Sequence, residues 1–135
     1  MRGREKGDPS ADRMSRPDWW GVVLDAPQAR TLAHFYAELL DWPIDKDDDD
    51  WCTLAPEDGV AYLAVQTSPA YVRPTWPPVD GQQQQMLHLD FQVQDLEAAV
   101  AHAVELGAQV AESQPQDRVR VMLDPAGHPF CLYTD

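Results

Sequence analysis

Cysteines, basic residues and long apolar runs are all scarce in this sequence, and each shortage excludes a class of protein. Cys52 and Cys131 are the only cysteines, too few for the disulfide framework of a small secreted domain. No apolar run approaches the roughly 20 residues of a membrane span, and the charged start lacks the apolar core of a secretory signal. We therefore expect a cytoplasmic protein with reduced thiols and no membrane partner.

Basic side chains are outnumbered by acidic ones: 10 Lys and Arg stand against 23 Asp and Glu, for a formal net charge of −13. Nucleic acids attract basic proteins, so a nucleic-acid partner is not expected. The acidic surface favours solubility first, and attraction of a cationic ligand only second. No phosphate-binding glycine loop or Cys-x-x-Cys pair is visible, and no sequence pattern of a Ser-His-Asp triad is present.

The most informative stretch covers residues 86–102, where a strand pattern changes into a helix pattern. Apolar residues at 89, 91 and 93 alternate with polar residues at 88, 90, 92 and 94, which predicts a strand with one polar face. From Asp95 the apolar period becomes helical, and Gly107 ends it. The strand thus runs directly into a helix that covers its apolar face.

A weaker copy of this unit lies near the N-terminus. Residues 19–25 predict a strand, and a helix follows from Gln28 to about Asp41, before Pro43. The spacing from Leu24 to Phe91 recurs from Ala33 to Val100, which indicates a duplicated supersecondary unit. Each helix is followed by short strand patterns, at 51–54 and 60–66 in the first copy and at 109–111, 118–123 and 130–133 in the second. Residues 46–50 are predicted to form a solvated turn, because adjacent carboxylates are costly to bury.

These elements predict an α+β fold of two βαβββ modules. The predicted organisation is a disordered tail (1–17), a first module (18–67), a linker (68–85) and a second module (86–135), which together form one domain. Trp76 lies in the proline-rich linker, either as a lid over a ligand or as a staple that holds the linker down.

The segments GVVLDAPQARTLAHFYAELLDWPI and HLDFQVQDLEAAVAHAVELGAQV, the latter followed by DPAGHPFCLYTD, resemble the vicinal oxygen chelate superfamily. The closest similarity is to its glyoxalase-like, bleomycin-resistance-like branch. The resemblance implies that the strands of the two modules form a half-open cup of mixed sheet, with the helices outside and a ligand in the cup between the modules.

The same resemblance implies metal ligands at the start of each module's first strand and on its last strand. The matching positions here are Gly21, about Leu63, His88 and Cys131. Gly21 and Leu63 have no metal-binding side chain, and Cys131 stands where a glutamate is usual. Asp90, on the same strand face as His88, is available as an improvised third ligand. Because a catalytic site for hard divalent metals needs about three oxygen or imidazole ligands, we expect no resident metal and no cofactor.

The expected function is therefore metal-independent binding of a small molecule, with unassigned catalytic residues. The residues expected to contact the ligand are His88, Asp90, Gln92, Cys131, Tyr133 and Trp51. Cys131 and Tyr133 alternate with residues that should face the covering helix, and no neighbouring cation is available to activate the Cys131 thiol. His88 is either an acid–base group or an inherited position, and His128 is expected to be structural.

Three functions are compatible with this sequence. A narrower form of ligand binding is drug sequestration, for which acidic charge and aromatic walls would suit a cationic, planar ligand. The enzyme alternative is a divalent-metal-dependent lyase, isomerase or dioxygenase of the same superfamily. The third is a dimeric interaction module whose cup is filled by its own side chains. The sequence leaves a homodimer open.

Overall fold

The computed structural model describes all 135 residues, which form two compact units, Met1–Ser68 and Pro69–Asp135. After a short 3-10 turn at Arg13–Ser15, the first unit contains β1 (Trp20–Ala26), α1 (Ala29–Leu40), β2 (Ile44–Asp47), β3 (Trp51–Leu54) and β4 (Ala61–Thr67). The second contains β5 (Leu89–Gln92), α2 (Leu96–Glu105), β6 (Gln109–Val110), β7 (Val119–Leu123) and β8 (Pro129–Tyr133). The predicted α+β class with two βαβββ modules is confirmed.

Each unit has one open, mixed, four-stranded sheet, and the strand order is the same in both. The order is β1-β4-β3-β2 in the first sheet and β5-β8-β7-β6 in the second. In each sheet the first strand pairs in parallel with the last, and the remaining pairs are antiparallel. The register repeats as well, since Leu24 lies opposite Val65 and Phe91 lies opposite Leu132. The duplication indicated by the sequence spacing is therefore present in the topology.

Helix α1 covers one face of the first sheet. Its buried side chains include Leu32, Phe35 and Tyr36, and the sheet residues Leu54 and Val65 are fully buried. Burial of each large apolar side chain stabilises the fold by about 1.5–3 kcal/mol. The helix ends where Asp41 adopts a left-handed conformation with φ 53°, just before the proline that predicted its end.

In the second unit the Asp95 side chain caps α2, because its carboxylate accepts a hydrogen bond from the Ala98 N–H at 3.0 Å. This is the helix start predicted from the change of period. Neither helix of the protein has the length and apolarity needed to cross a membrane.

The turn predicted at residues 46–50 is partly wrong, because Lys46 and Asp47 belong to strand β2. This strand lies at the sheet edge, with only β3 as its neighbour, so its charged side chains remain exposed. The Asp47 carboxylate also has partners, Arg30 Nε at 3.1 Å and His34 Nε2 at 3.0 Å. Strand pairing and solvent exposure of charged side chains are therefore compatible at this edge.

The residues predicted to form the tail and the linker make specific contacts within their units. Arg13 donates hydrogen bonds to the carbonyls of Gly59 and Pro56 at 2.6 and 2.7 Å. Trp76 Nε1 donates to the Ser113 carbonyl at 3.2 Å, which favours its reading as a staple, and the Tyr71 hydroxyl donates to the Ala126 carbonyl at 2.6 Å. The predicted boundaries and the disorder of residues 1–17 stay predictions.

Candidate functional site

Three of the residues predicted to bind a ligand lie together on the second sheet. Asp90 on β5 is paired with Cys131 on β8, and residues paired in neighbouring strands project from the same sheet face. His88 precedes β5 and brings its Nε2 within 3.2 Å of Asp90 Oδ1. One ligand atom from each of His88, Asp90 and Cys131 lies within 4.8 Å of the other two. We call these three residues the donor cluster.

The alternation of β8 decides which side chains reach this face. Phe130 and Leu132 are buried, at 0% and 2% exposed, whereas Cys131 and Tyr133 are only half-buried. The predicted division of this strand into a core face and an open face is therefore present. It follows directly from the period of two in a strand.

The electrostatics of the donor cluster keep the Cys131 thiol protonated. Burial raises its pKa from the ordinary 9.0 to about 11, and the neighbouring Asp90 carboxylate adds to the rise. A thiol is a nucleophile only as the thiolate, so Cys131 has no activated form at neutral pH in this environment. This agrees with the absence of a cation among the sequence neighbours of Cys131.

The remaining predicted residues are placed differently. Gln92 Nε2 donates to Asp135 Oδ2 at 2.7 Å, so its amide already has a partner. Tyr133 lies opposite Gln92 in the parallel pair of strands and is half-buried. Trp51 begins β3 in the first unit, where it lines a cavity. Ligand contact by these residues stays a prediction.

The donor cluster fits some metals and not others. Zn²⁺ accepts imidazole, carboxylate and thiolate ligands, and its catalytic sites use three protein ligands with one open position. Mg²⁺ and Ca²⁺ require mostly oxygen ligands, and only Asp90 supplies oxygen here. The cluster therefore suits a borderline metal such as Zn²⁺, provided that the Cys131 thiol loses its proton.

The first module has no equivalent donors. In the repeated register, Val23 opposite Ala64 corresponds to Asp90 opposite Cys131. The counterpart of Cys131 is therefore Ala64, and the position expected at about Leu63 is wrong by one residue. A shift of one residue moves a side chain to the other face of the sheet, so Leu63 and Ala64 project in opposite directions. Leu63 faces the core and is 6% exposed.

The sequence did not predict the aromatic cavity of the first unit. This cavity has a volume of about 470 Å³, and Trp19, Trp51 and Tyr62 lie in its lining. Arg13, Asp45 and Lys46 are its charged residues. Only Trp51 was expected from the sequence, because Trp19 and Tyr62 are distant along the chain and their proximity depends on strand pairing.

The turn before β8 is structural, as expected for His128. Asp124 is 1% exposed, and its carboxylate accepts hydrogen bonds from the backbone N–H groups of Ala126 and His128 at 2.9 and 3.0 Å. His128 Nδ1 lies 2.8 Å from Asp124 Oδ2. The DPAGHP motif therefore folds around a buried carboxylate that positions β8.

Comparison with solved structures supports the fold. A possible glyoxalase from Bacillus cereus superposes with a TM-score of 0.62 at 12% identity, over 85% of this chain and 96% of that one. A glyoxalase/bleomycin resistance protein/dioxygenase family enzyme from Burkholderia phytofirmans superposes with a TM-score of 0.62 at 13% identity, over 84% of this chain and 95% of that one. The fosfomycin resistance protein FosX from Mesorhizobium loti gives 0.61 at 12% identity, over 86% and 90%.

At the level of sequence, no curated protein matches the chain significantly. The model of the glyoxalase-like domain family matches residues 21–133, which include all ten strands and helices except the first residue of β1. The resemblance expected from the sequence is confirmed. The chain belongs to the glyoxalase-like domain family.

Proposed function

We propose that this protein binds a small organic molecule in the aromatic cavity of its first unit. The observation that carries the proposal is the cavity itself, about 470 Å³ in volume with Trp19, Trp51 and Tyr62 in its lining. Pockets for small molecules typically measure about 300–1,000 Å³ and combine apolar walls with a few polar groups. Flat aromatic walls favour a ligand with a planar ring, because offset or edge-to-face ring contacts add to the burial of apolar area.

Drug sequestration is the narrower form of this proposal. Its support is the family membership together with neighbours of the same fold whose names include bleomycin resistance and fosfomycin resistance. These neighbours are 12–13% identical to the chain and share its fold, and their names motivate the choice of ligand to test. The narrower form predicts tight binding of a glycopeptide drug, with quenching of tryptophan fluorescence.

A titration with 2-naphthamide, a neutral planar probe, tests the proposal. The readout is the indole N–H signal of each tryptophan in NMR spectra of the full chain. We expect the signals of Trp19 and Trp51 to shift with a saturable dependence on probe concentration, and Trp51→Ala to weaken binding at least tenfold. Trp76→Phe is the control, because Trp76 belongs to the second unit. Absence of any shift at millimolar 2-naphthamide and with charged naphthalene probes would refute the function.

The donor cluster favours a second candidate function, a divalent-metal-dependent lyase, isomerase or dioxygenase. The supporting observation is the proximity of His88, Asp90 and Cys131, within 4.8 Å of one another. A bound metal would act as a Lewis acid towards a substrate oxygen. In that function His88 and Asp90 would hold the metal, and Cys131 would complete the set as a thiolate.

A further inference from the structure

The charge of the aromatic cavity differs from that of the whole chain. Across the sequence, acidic residues outnumber basic ones by 23 to 10. The cavity lining reverses this ratio, with Arg13 and Lys46 as two cations against the single carboxylate of Asp45. The global charge of −13 favours a cationic ligand, but at contact distance the nearest charges dominate the interaction.

Neither cation of the cavity is neutralised by a carboxylate of the protein. Among arginine and lysine side chains, those in ion pairs are Arg16 and Arg30, and no carboxylate lies within 4.0 Å of the charged groups of Arg13 or Lys46. Both charges are therefore available to a ligand. Asp45 likewise has no ion-pair partner, which leaves the lining with a surplus of one positive charge.

Arg13 is held in place without losing its charge. Its Nε and Nη2 donate to the carbonyls of Gly59 and Pro56, while its Cζ lies 4.6 Å from the centre of the Trp19 ring. The Nη1 group has only the weak acceptor Met14 Sδ, at 3.9 Å. A guanidinium has five N–H donors, so donors remain for an anionic group.

Tyr62 adds a neutral donor to the same lining. Its hydroxyl forms no hydrogen bond within the protein, although the residue is only half-exposed. A carboxylate accepts hydrogen bonds and donates none. It would therefore complement Arg13, Lys46 and Tyr62 together, whereas an ammonium group would complement Asp45 alone.

We propose that the ligand of the aromatic cavity is a planar aromatic anion, such as an aromatic carboxylate, and not the cationic ligand that the overall charge of the chain suggests. This inference rests on the proposed function, since it names the chemical class that the same cavity accepts. The aromatic walls contact the ring, and Arg13 and Lys46 contact the acidic group.

The test compares three probes that share one ring system and differ in charge: 2-naphthoate, 2-naphthamide and 2-naphthylmethylammonium. Affinities are measured by isothermal titration calorimetry with the full chain at low ionic strength. We expect 2-naphthoate to bind about tenfold more tightly than 2-naphthylmethylammonium, with 2-naphthamide between them. The preference should shrink on addition of salt, because exposed charges are screened.

Charge variants of the lining then locate the effect. Lys46→Gln should weaken the binding of 2-naphthoate about threefold more than that of 2-naphthamide, whereas Asp45→Asn should strengthen the binding of 2-naphthoate by a similar factor. Lys6→Gln is the matched control, because Lys6 is the only other lysine of the chain and does not line the cavity.

The outcomes separate the two proposals. If none of the three probes binds, the proposed function fails. If 2-naphthamide binds but 2-naphthylmethylammonium binds as tightly as 2-naphthoate or more tightly, the function stands and the anionic class is overturned. An effect of Lys6→Gln equal to that of Lys46→Gln would also overturn it, since the preference would then arise from the net charge of the chain.

Discussion

The ring of Tyr62 lies over the backbone of Gly21, and the two residues face each other in the parallel pair of β1 and β4. A Cβ on Gly21 would overlap the distal ring atoms Cε2 and Cζ. Gly21 therefore provides the space in which Tyr62 forms a wall of the aromatic cavity. This is also the position at which the resemblance implied a metal ligand, and an aromatic ring occupies the space in front of it.

Gly21→Ala should displace Tyr62 and damage the cavity more than the fold. We expect the affinity for 2-naphthoate to fall about tenfold, with a change in the free energy of unfolding of about 1 kcal/mol or less, because the half-exposed ring can rotate away. Calorimetry and urea unfolding measure the two effects. Val23→Ala on the same strand is the control, and equal losses of affinity in both variants would contradict this role.

Asp124→Ala should be the most destabilising change in the second unit. It removes the acceptor of two backbone N–H groups and the partner of His128 in a buried position, at a cost of about 3 kcal/mol. Urea unfolding gives the value. Asp117→Ala, at an exposed turn position, should change the free energy of unfolding by less than about 0.5 kcal/mol. A loss of similar size at both sites would be inconsistent with a structural carboxylate.

The buried Cys52 predicts a pH dependence of stability. Burial, reinforced by Asp47, raises the pKa of its thiol from 9.0 to about 11. The unfolded chain loses this proton near pH 9 and the folded chain only near pH 11. The contribution of the Cys52 thiol to the free energy of unfolding is therefore complete below pH 9 and is lost as the pH rises to 11. In Cys52→Ala the free energy of unfolding should fall less steeply over this range, and identical slopes would contradict the assignment.

The donor cluster predicts weak, pH-dependent zinc binding. Because Zn²⁺ must displace the proton of Cys131, whose pKa is about 11, affinity should rise with pH. We expect protein purified without a chelator or a histidine tag to contain well below one equivalent by elemental analysis. One full equivalent of zinc, lost in Cys131→Ala and in Asp90→Asn but retained in Asp117→Asn, would instead favour the metal-dependent enzyme.

Limited proteolysis examines the N-terminal segment. Arg13 has two carbonyl partners on the β3–β4 connection, so Arg13→Ala should increase severalfold the rate at which thermolysin cleaves near Met14. The disorder predicted for residues 1–17 implies the opposite, namely equally fast cleavage of both proteins. Arg2→Ala, which removes an exposed arginine with no hydrogen bond, is the matched control.

The strands and helices could be predicted because their signals are local. Leu32, Phe35 and Tyr36 follow the helical period, and Phe130 and Leu132 alternate with Cys131 as a strand requires. The repeat was also visible, since duplicated segments keep their spacing. Asp90 was placed correctly on the face of His88 for the same reason. The failure at Lys46 and Asp47 came from treating charge as evidence for a turn, although an edge strand exposes its side chains to solvent.

The sequence by itself determined the family and the α+β class, because the helix and strand periods lie within single elements and the duplicated segments keep their spacing. Only the tertiary structure decided which side chains meet. Parallel pairing places Asp90 beside Cys131 and Tyr62 over Gly21. The folding of the first unit brings Arg13 and Trp19 to the same cavity as Trp51. Such contacts join residues about 40 positions apart, and their register is set by the burial of a whole sheet face, which no local pattern specifies.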